Sequence, residues 1–368
     1  MHVNDFDFEL PPERIAQDPP SDRTAARLLH LDRHTGDLVH TTIASLPQRL
    51  RAGDLIVANN TKVFPARLLG CRVPSGGAVE CLLIRRLEWS QASKGSDPKP
   101  LDLVARGSDP GRWEALMHPG QKLRPGARVL FQGLRTLHGE VLEQHFFGRR
   151  TIRLWTEDGT SVDDAIDAIG HVPLPPYIKR PDREPDRDRY QTVFASRRGS
   201  VAAPTAGLHF TPALVQSLAD GGIQTTQITL HVGYGTFQPV RVDRVEDHRL
   251  EPESYEIDAA AASAITAALA EGRRVVAVGT TTTRTLEAVA AANDGRIVAG
   301  TGSTDLFIYP GFAFRVVAAL LTNFHLPRSS LLMLVAAFAG RDRVLTAYHA
   351  AIAERYRFYS YGDAMLIT

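Results

Sequence analysis

Three histidines stand where strands are expected to end: His209 in the string AAPTAGLHFT, His231 in HVGYGTFQ and His325 in TNFHLPRSS. A neutral imidazole is the side chain best suited to move a proton near pH 7. Taken singly, such a histidine is more often a core or capping residue. Taken together, and beside one further segment, they suggest a site. That segment is GTTTTRTLEA, beginning at Gly279. It follows a short apolar run, 275–278, and precedes a helical pattern, 286–292. A strand that turns into a helix through Gly279, Thr280 and Thr281 leaves free N–H groups facing a ligand, with the positive end of the helix dipole behind them. Four hydroxyl residues and Arg284 exceed what a helix cap needs. Asn323 leaves its strand beside His325. Gly233 and Gly235 let the backbone pass close to a ligand around Tyr234 and Thr236. Asp363 lies in the aromatic terminal stretch RYRFYSYGDAML.

Loops after successive parallel strands converge on one crevice at the carboxyl ends of an open sheet. Residues far apart in the chain can therefore meet there. Other chemistries lack their signals. There is no HxH or HExxH metal pattern and no GxSxG nucleophile elbow. The sequence Gly300-Thr301-Gly302 precedes a strand rather than a helix and lacks the third glycine of a dinucleotide fingerprint. Cys71 and Cys81, the only cysteines, have neither CxxC spacing nor clustered histidines, so no metal site is expected.

The elements that must position these residues fall into two textures. Residues 25–31 and 55–58 read as strands, and 45–50 as a short helix. Residues 63–69, 79–84, 101–105, 113–117, 128–131, 139–143 and 151–155 read as short strands separated by turn residues, which predicts a small antiparallel barrel. The polar stretch 89–100 reads as a hairpin tip. Residues 171–189 form a Pro- and charge-rich connector of mixed sign. Beyond it strands at 227–232, 275–278, 305–309 and 316–321 alternate with helices at 212–220, 259–270, 286–292, 330–338 and 343–352. The expected fold is α/β: a larger domain with a mostly parallel sheet, residues 1–62 and 155–368, interrupted by an inserted β-barrel, residues 63–154.

At 368 residues the chain exceeds one ordinary core, in keeping with two units. Lys and Arg total 42 against 41 Asp and Glu, so overall charge neither requires nor forbids a nucleic-acid partner. The N-terminal stretch has no apolar core of a secretory signal, and no apolar run is long enough to span a bilayer. The cytoplasm is the expected compartment, no membrane is expected as a partner, and a monomer is the expected state.

These motifs, in this order, resemble one family closely: the S-adenosylmethionine:tRNA ribosyltransferase-isomerases, which make epoxyqueuosine in tRNA. The likeness also rests on DFDFELPPERIAQ, GDLIVANNTKVFPARLLG, RYQTVFA, LFIYPGF and YRFYSYGDAMLI, and runs from Asp5 to Ile367. Two departures stand out. Thr282-Thr283 replace the family's usual Ser-Val, and Ala318 replaces its usual Asp, for which a structural role is expected. Residues 89–100 look like an extra insertion. The resemblance implies S-adenosylmethionine as ribosyl donor and co-substrate, no metal, and as partner a tRNA carrying an aminomethyl-deazaguanine at the wobble position. Adenine and methionine would leave. Within it, His209 or His325 are base candidates, and Asp363 would orient the amine or the ribose. Gly279 to Arg284 would cradle the methionine carboxylate or ribose, with His231, Tyr234, Thr236 and Asn323 completing the donor site. Tyr234 and Phe237 would stack on a base. Arg149, Arg150, Arg153, Lys179, Arg180, Arg197 and Arg198 would meet the tRNA. The other readings of the chain are a tRNA-binding protein without catalysis and a nucleotide-dependent enzyme acting on a small molecule.

Overall fold

The computed structural model describes residues 1–87, 111–233, 235 and 240–368. The expected strand at 101–105, the stretch 89–100, and Tyr234, Thr236 and Phe237 lie outside the described residues.

In chain order the strands are β1 (Arg27–Leu31), β2 (Leu38–Thr42), β3 (Leu55–Asn59), β4 (Thr61–Val63), β5 (Arg67–Val73), β6 (Ala78–Leu87), β7 (Gly111–His118), β8 (Arg128–Gln132) and β9 (Thr136–Gln144). There follow β10 (Arg149–Trp155), β11 (Arg197–Ser200), β12 (Gln224–Leu230), β13 (Glu253–Ile257), β14 (Val275–Val278), β15 (Gly300–Thr304), β16 (Val317–Asn323) and β17 (Ala364–Ile367). A nine-stranded mixed sheet runs β15-β13-β12-β3-β14-β16-β17-β1-β2. Its centre, β12-β3-β14-β16, is parallel. Strands β13, β15 and β2 join antiparallel towards the edges, and β17 runs antiparallel to β16 but parallel to β1.

The central strands are apolar on both faces because both faces are covered. Leu55, Val57, Val275 and Ala277 pack on one side with the helices Ala259–Ala270, Thr280–Ala292, Ser330–Ala339 and Arg341–Ala353. Ile56, Ala58, Val276 and Val278 pack on the other with Leu214 and Leu218 of the helix Pro212–Asp220. That helix opens on Thr211, whose side chain accepts from the Leu214 N–H, with Pro212 behind it.

Strands β5 to β10 close into a six-stranded antiparallel barrel with its own core around Leu68, Leu83, Trp113, Phe131 and Ile152. All its strands fall between β3 and β12 of the large sheet. Residues 61–63 pair with β11 instead of joining the barrel.

The expected strand at 305–309 is not formed. The strand lies just before it, at Gly300–Thr304, paired with β13. Leu306, Phe307 and Tyr309 pack as a loop against the core, which explains their apolar pattern. The sequence Gly-Thr-Gly-Ser-Thr has poor strand propensity but suffices for an edge, where backbone pairing does the work. The helix expected from 286 begins six residues earlier, at Thr280. The connector is not a free linker. Asp186 accepts from Arg180 and from the Tyr361 hydroxyl, and Tyr190 is fully buried.

Ala318 sits in an irregularity of β16, skipped as the partners of β14 pass from Val317 to Ala319. It lies five residues before Asn323, roughly 16 Å along an extended strand. No helix among the described residues is long and apolar enough to cross a membrane.

Candidate active site

Parallel pairing of β14 and β16 puts their carboxyl ends on the same rim. The Gly279 N–H donates to the Leu321 carbonyl at 2.8 Å, fastening the two exits together. Gly279 has φ +89°, a conformation open to glycine and strained for any residue with a Cβ. It aims the helix Thr280–Ala292 into a cavity of about 820 Å³, within the usual range for small-molecule sites. Gly279, Thr280, Thr281, Thr322, Asn323 and His325 line it. Thr283 is the first residue whose N–H finds a helical carbonyl, that of Gly279. The turn before it therefore presents its donors at the cavity.

The run of hydroxyl residues divides in two. Thr282, Thr283 and Thr285 donate back to the carbonyls of Val278, Gly279 and Thr281 and belong to the helix. Thr280 and Thr281 face the cavity. Arg284 does not reach it. Its guanidinium is buried against Glu253 at 2.5 Å and donates to the Leu306 carbonyl, lining a second cavity of about 590 Å³. Glu253 also accepts from the Gly233 N–H, so the pair holds the start of the glycine loop. His231 lines the same second cavity, with Nδ1 2.8 Å from the Thr61 hydroxyl. Its ring lies so close to Gly199 that a Cβ there would come within 2.7 Å. The two cavities adjoin at Val232, Ser330 and Leu331.

His209 lies one layer behind the cavity. Asn323 Nδ2 reaches His209 Nε2 at 3.2 Å and the Tyr359 carbonyl at 3.1 Å. The carbonyl fixes that atom as the amide nitrogen, so His209 Nε2 accepts and its ring proton is on Nδ1. His325 stands in the cavity wall. Its Nε2 is 2.9 Å from the Thr322 hydroxyl, and Nδ1 has no hydrogen-bond partner among the described residues. Burial lowers the His209 pKa to about 4 and the His325 pKa to about 3, so both are neutral at pH 7.

That neutrality has a measurable consequence. The unfolded chain protonates these rings near pH 6.5, the native one only near 4 and 3. The stabilising contribution is full above pH 6.5 and is lost as the pH falls through that window, at about 1.4 kcal/mol per unit for each ring. The denaturant midpoint should fall between pH 6.5 and 4.5, and His209→Ala should flatten the slope. An unchanged slope would show that the ring is solvated.

Asp363 is committed to the backbone. One oxygen accepts from the Arg27 N–H at 2.9 Å and the other from the Arg357 N–H at 2.7 Å. It does not line the cavity. It closes the turn 357–363 that carries Tyr359, a cavity residue the sequence reading passed over. Arg241 was missed too, although it lies only three residues beyond the glycine-loop string that ends at Gln238. It is exposed, lines the cavity and has no ion-pair partner among the described residues, whereas Arg328 across the rim pairs with Asp7 at 3.6 Å.

Two of the basic residues assigned to the barrel surface point inward. Arg150 is buried and donates to the carbonyls of Leu123, Arg149 and Gly120. Arg153 is buried against Glu140. Arg149 joins Glu114 to Glu251, tying the barrel to the sheet body. No group of three or more His, Cys, Asp or Glu with metal-site geometry occurs among the described residues.

A helix N-terminus and a buried imidazole share one cavity at the carboxyl rim of a mixed sheet, the usual place for a ligand site in an α/β enzyme. The family model described as queuosine biosynthesis protein matches residues 3–367. An S-adenosylmethionine:tRNA ribosyltransferase-isomerase from Desulfitobacterium hafniense is 47% identical over the full length of both chains. One from Nitratidesulfovibrio vulgaris is 50% identical over 99% of this chain and 97% of its own. The crystal structure of S-adenosylmethionine tRNA ribosyltransferase from Thermotoga maritima is 36% identical, covering 99% of this chain and all of its own, with a TM-score of 0.53. The chain belongs to the queuosine biosynthesis family, that of the tRNA ribosyltransferase-isomerases.

Proposed function

We propose that the chain transfers and isomerises the ribosyl group of S-adenosylmethionine onto the aminomethyl-deazaguanine at the wobble position of a tRNA. Adenine and methionine are released, and the product is epoxyqueuosine-tRNA. The observation that carries the proposal is the meeting of Gly279, Thr280, Thr281, Asn323 and His325 at one cavity, with His325 neutral and its Nδ1 unengaged.

The donor's sulfonium acidifies the neighbouring ribose methylene. His325 Nδ1 takes that proton. The step forms an imidazolium and leaves the donor as a sulfonium ylide, whose carbanion keeps the C–H electron pair, so the net charge of the site is unchanged. The carbanion left beside sulfur offsets the sulfonium charge, so the cavity carries no more net charge with His325 protonated than it did before the transfer, which counters the burial that disfavours the imidazolium in the bare cavity. The turn Gly279–Thr281 receives the methionine carboxylate or the ribose hydroxyls. Asn323 is oriented by His209, which makes His209 a positioning residue. His231 and Arg284 act from the adjoining cavity, on the side of the RNA base. Asp363 acts by holding its turn rather than by touching the amine. Tyr234, Thr236 and Phe237 remain candidates for donor or base contacts.

We further assign residues 63–154 to an inserted unit that grips the anticodon arm, in a monomer working in the cytoplasm. Phe146 and Phe147 at a barrel turn support this, being 87% and 90% exposed. Bare aromatic rings stack on unpaired bases for about 1–3 kcal/mol each. Replacing both with alanine should raise the KM for tRNA at least about tenfold and leave donor affinity unchanged. Equal KM values would remove the barrel turn from the RNA contact.

Incubation with S-adenosylmethionine, with and without precursor tRNA, tests the function. RNA-dependent adenine release is expected. Binding without release would favour a tRNA-binding protein, and release without RNA an enzyme of small molecules.

A further inference from the structure

Two buried polar atoms of cavity-lining residues have no hydrogen-bond partner among the described residues: Asn323 Oδ1 and the Tyr359 hydroxyl. Their residues are 2% and 7% exposed. Native proteins seldom leave such atoms unpaired, and those that remain call for an explanation, a role at a functional site among them.

The chemistry of each atom is fixed by its surroundings. The Asn323 amide cannot be flipped, because Nδ2 faces the Tyr359 carbonyl at 3.1 Å and that of Asp363 at 3.5 Å. Oδ1 is therefore an acceptor awaiting a donor. Burial pushes the Tyr359 phenol well above its ordinary range, so it stays protonated and can donate. Tyr359 also holds an unusual backbone, φ +73°, in a region that bulky side chains rarely enter. Its N–H donates to the Phe324 carbonyl at 3.1 Å and its carbonyl accepts from Gly362 at 2.9 Å, so the conformation is enforced from both sides. Residues held in such conformations concentrate at ligand sites. The Tyr177 ring, also lining the cavity, lies 4.1 Å from that of Tyr359, which gives the spot an aromatic wall.

We propose that Tyr359 Oη and Asn323 Oδ1 form a donor–acceptor pair that reads the edge of a purine-type base held in the cavity. A ring nitrogen accepts from Tyr359, and an exocyclic amine or ring N–H donates to Asn323. A carboxylate offers no donor, so it leaves the Asn323 oxygen unmet. The inference rests on the function proposed above, which brings two such bases: the adenine of the donor and the deazaguanine of the RNA.

Tyr359→Phe keeps the ring and removes only the hydroxyl. The probes are S-adenosylhomocysteine and its 1-, 3- and 7-deaza analogues, titrated without RNA. If the pair reads adenine, the wild type binds one analogue about tenfold more weakly than the parent. The variant then binds all four alike, at the weakened level. If the pair reads the RNA base, nucleoside affinities stay unchanged and the variant's KM for precursor tRNA rises about tenfold. The proposal is overturned if the variant matches the wild type in both nucleoside affinity and tRNA KM. Adenine release by the wild type, followed in parallel, separates this failure from failure of the proposed function itself. A purely structural hydroxyl would lower the melting temperature without erasing discrimination among the deaza analogues.

Discussion

His325→Ala should lower the rate of adenine release about 10²- to 10⁴-fold, the range usual for loss of a positioned general base. The loss should appear in single-turnover kcat rather than in donor affinity, because His325 is asked to act on a proton and not to hold the ligand. Two features single it out from His231 and from His209, which closes the short 3-10 helix Thr205–His209 and not, as its sequence suggests, a strand. His325 has its Nε2 occupied by Thr322 while Nδ1 is unengaged, and it lies in the cavity wall. His209 has its Nε2 taken by Asn323 and lies behind the wall, so His209→Ala should cost less. His231 lies in the adjoining cavity. His325→Ala turning over within tenfold of the wild type, or His209→Ala proving the more severe, would reassign the base.

Glu287→Ala should lower the unfolding free energy by at least about 3 kcal/mol, since each unpaired buried donor costs about 1–3 kcal/mol. Glu287 is fully buried on the helix that begins at the cavity, and its carboxylate accepts from three successive N–H groups, those of Arg315, Val316 and Val317. It thereby anchors the entrance of β16 to the helix Thr280–Ala292. One element brings Asn323 to the cavity and the other brings Gly279–Thr281, so the same substitution should loosen both walls. Glu287→Gln retains one acceptor oxygen and should fall between wild type and alanine in urea denaturation. Equal stability of all three proteins would show that water can replace the carboxylate.

The central strands were legible because both of their faces are buried. An uninterrupted apolar run such as Val275–Val278 has little else to be. The edge strand β15 was not, because pairing at an edge leaves its side chains in solvent and its sequence unconstrained. Its apolar neighbours 306–309 drew the reading instead. The convergence of Gly279, Asn323 and His325 followed from parallel pairing, since strands running the same way must exit at the same rim. Asp363 shows the limit of that reasoning. A carboxylate beside Gly362 looks available for chemistry until its partners are known, and one of them is the backbone of Arg27 at the other end of the chain. Tyr359 was hidden for the converse reason. The terminal stretch holds four buried aromatic residues, Tyr356, Phe358, Tyr359 and Tyr361. Only the backbone conformation and the unpaired hydroxyl set one of them apart.

The most direct test is a crystal structure with S-adenosylhomocysteine bound. The nucleoside should lie between the turn Gly279–Thr281 and His325, with its ribose methylene within hydrogen-bond range of Nδ1. Density instead in the cavity beside Trp113 and Arg284, or with its 5′ carbon facing away from His325, would contradict the account.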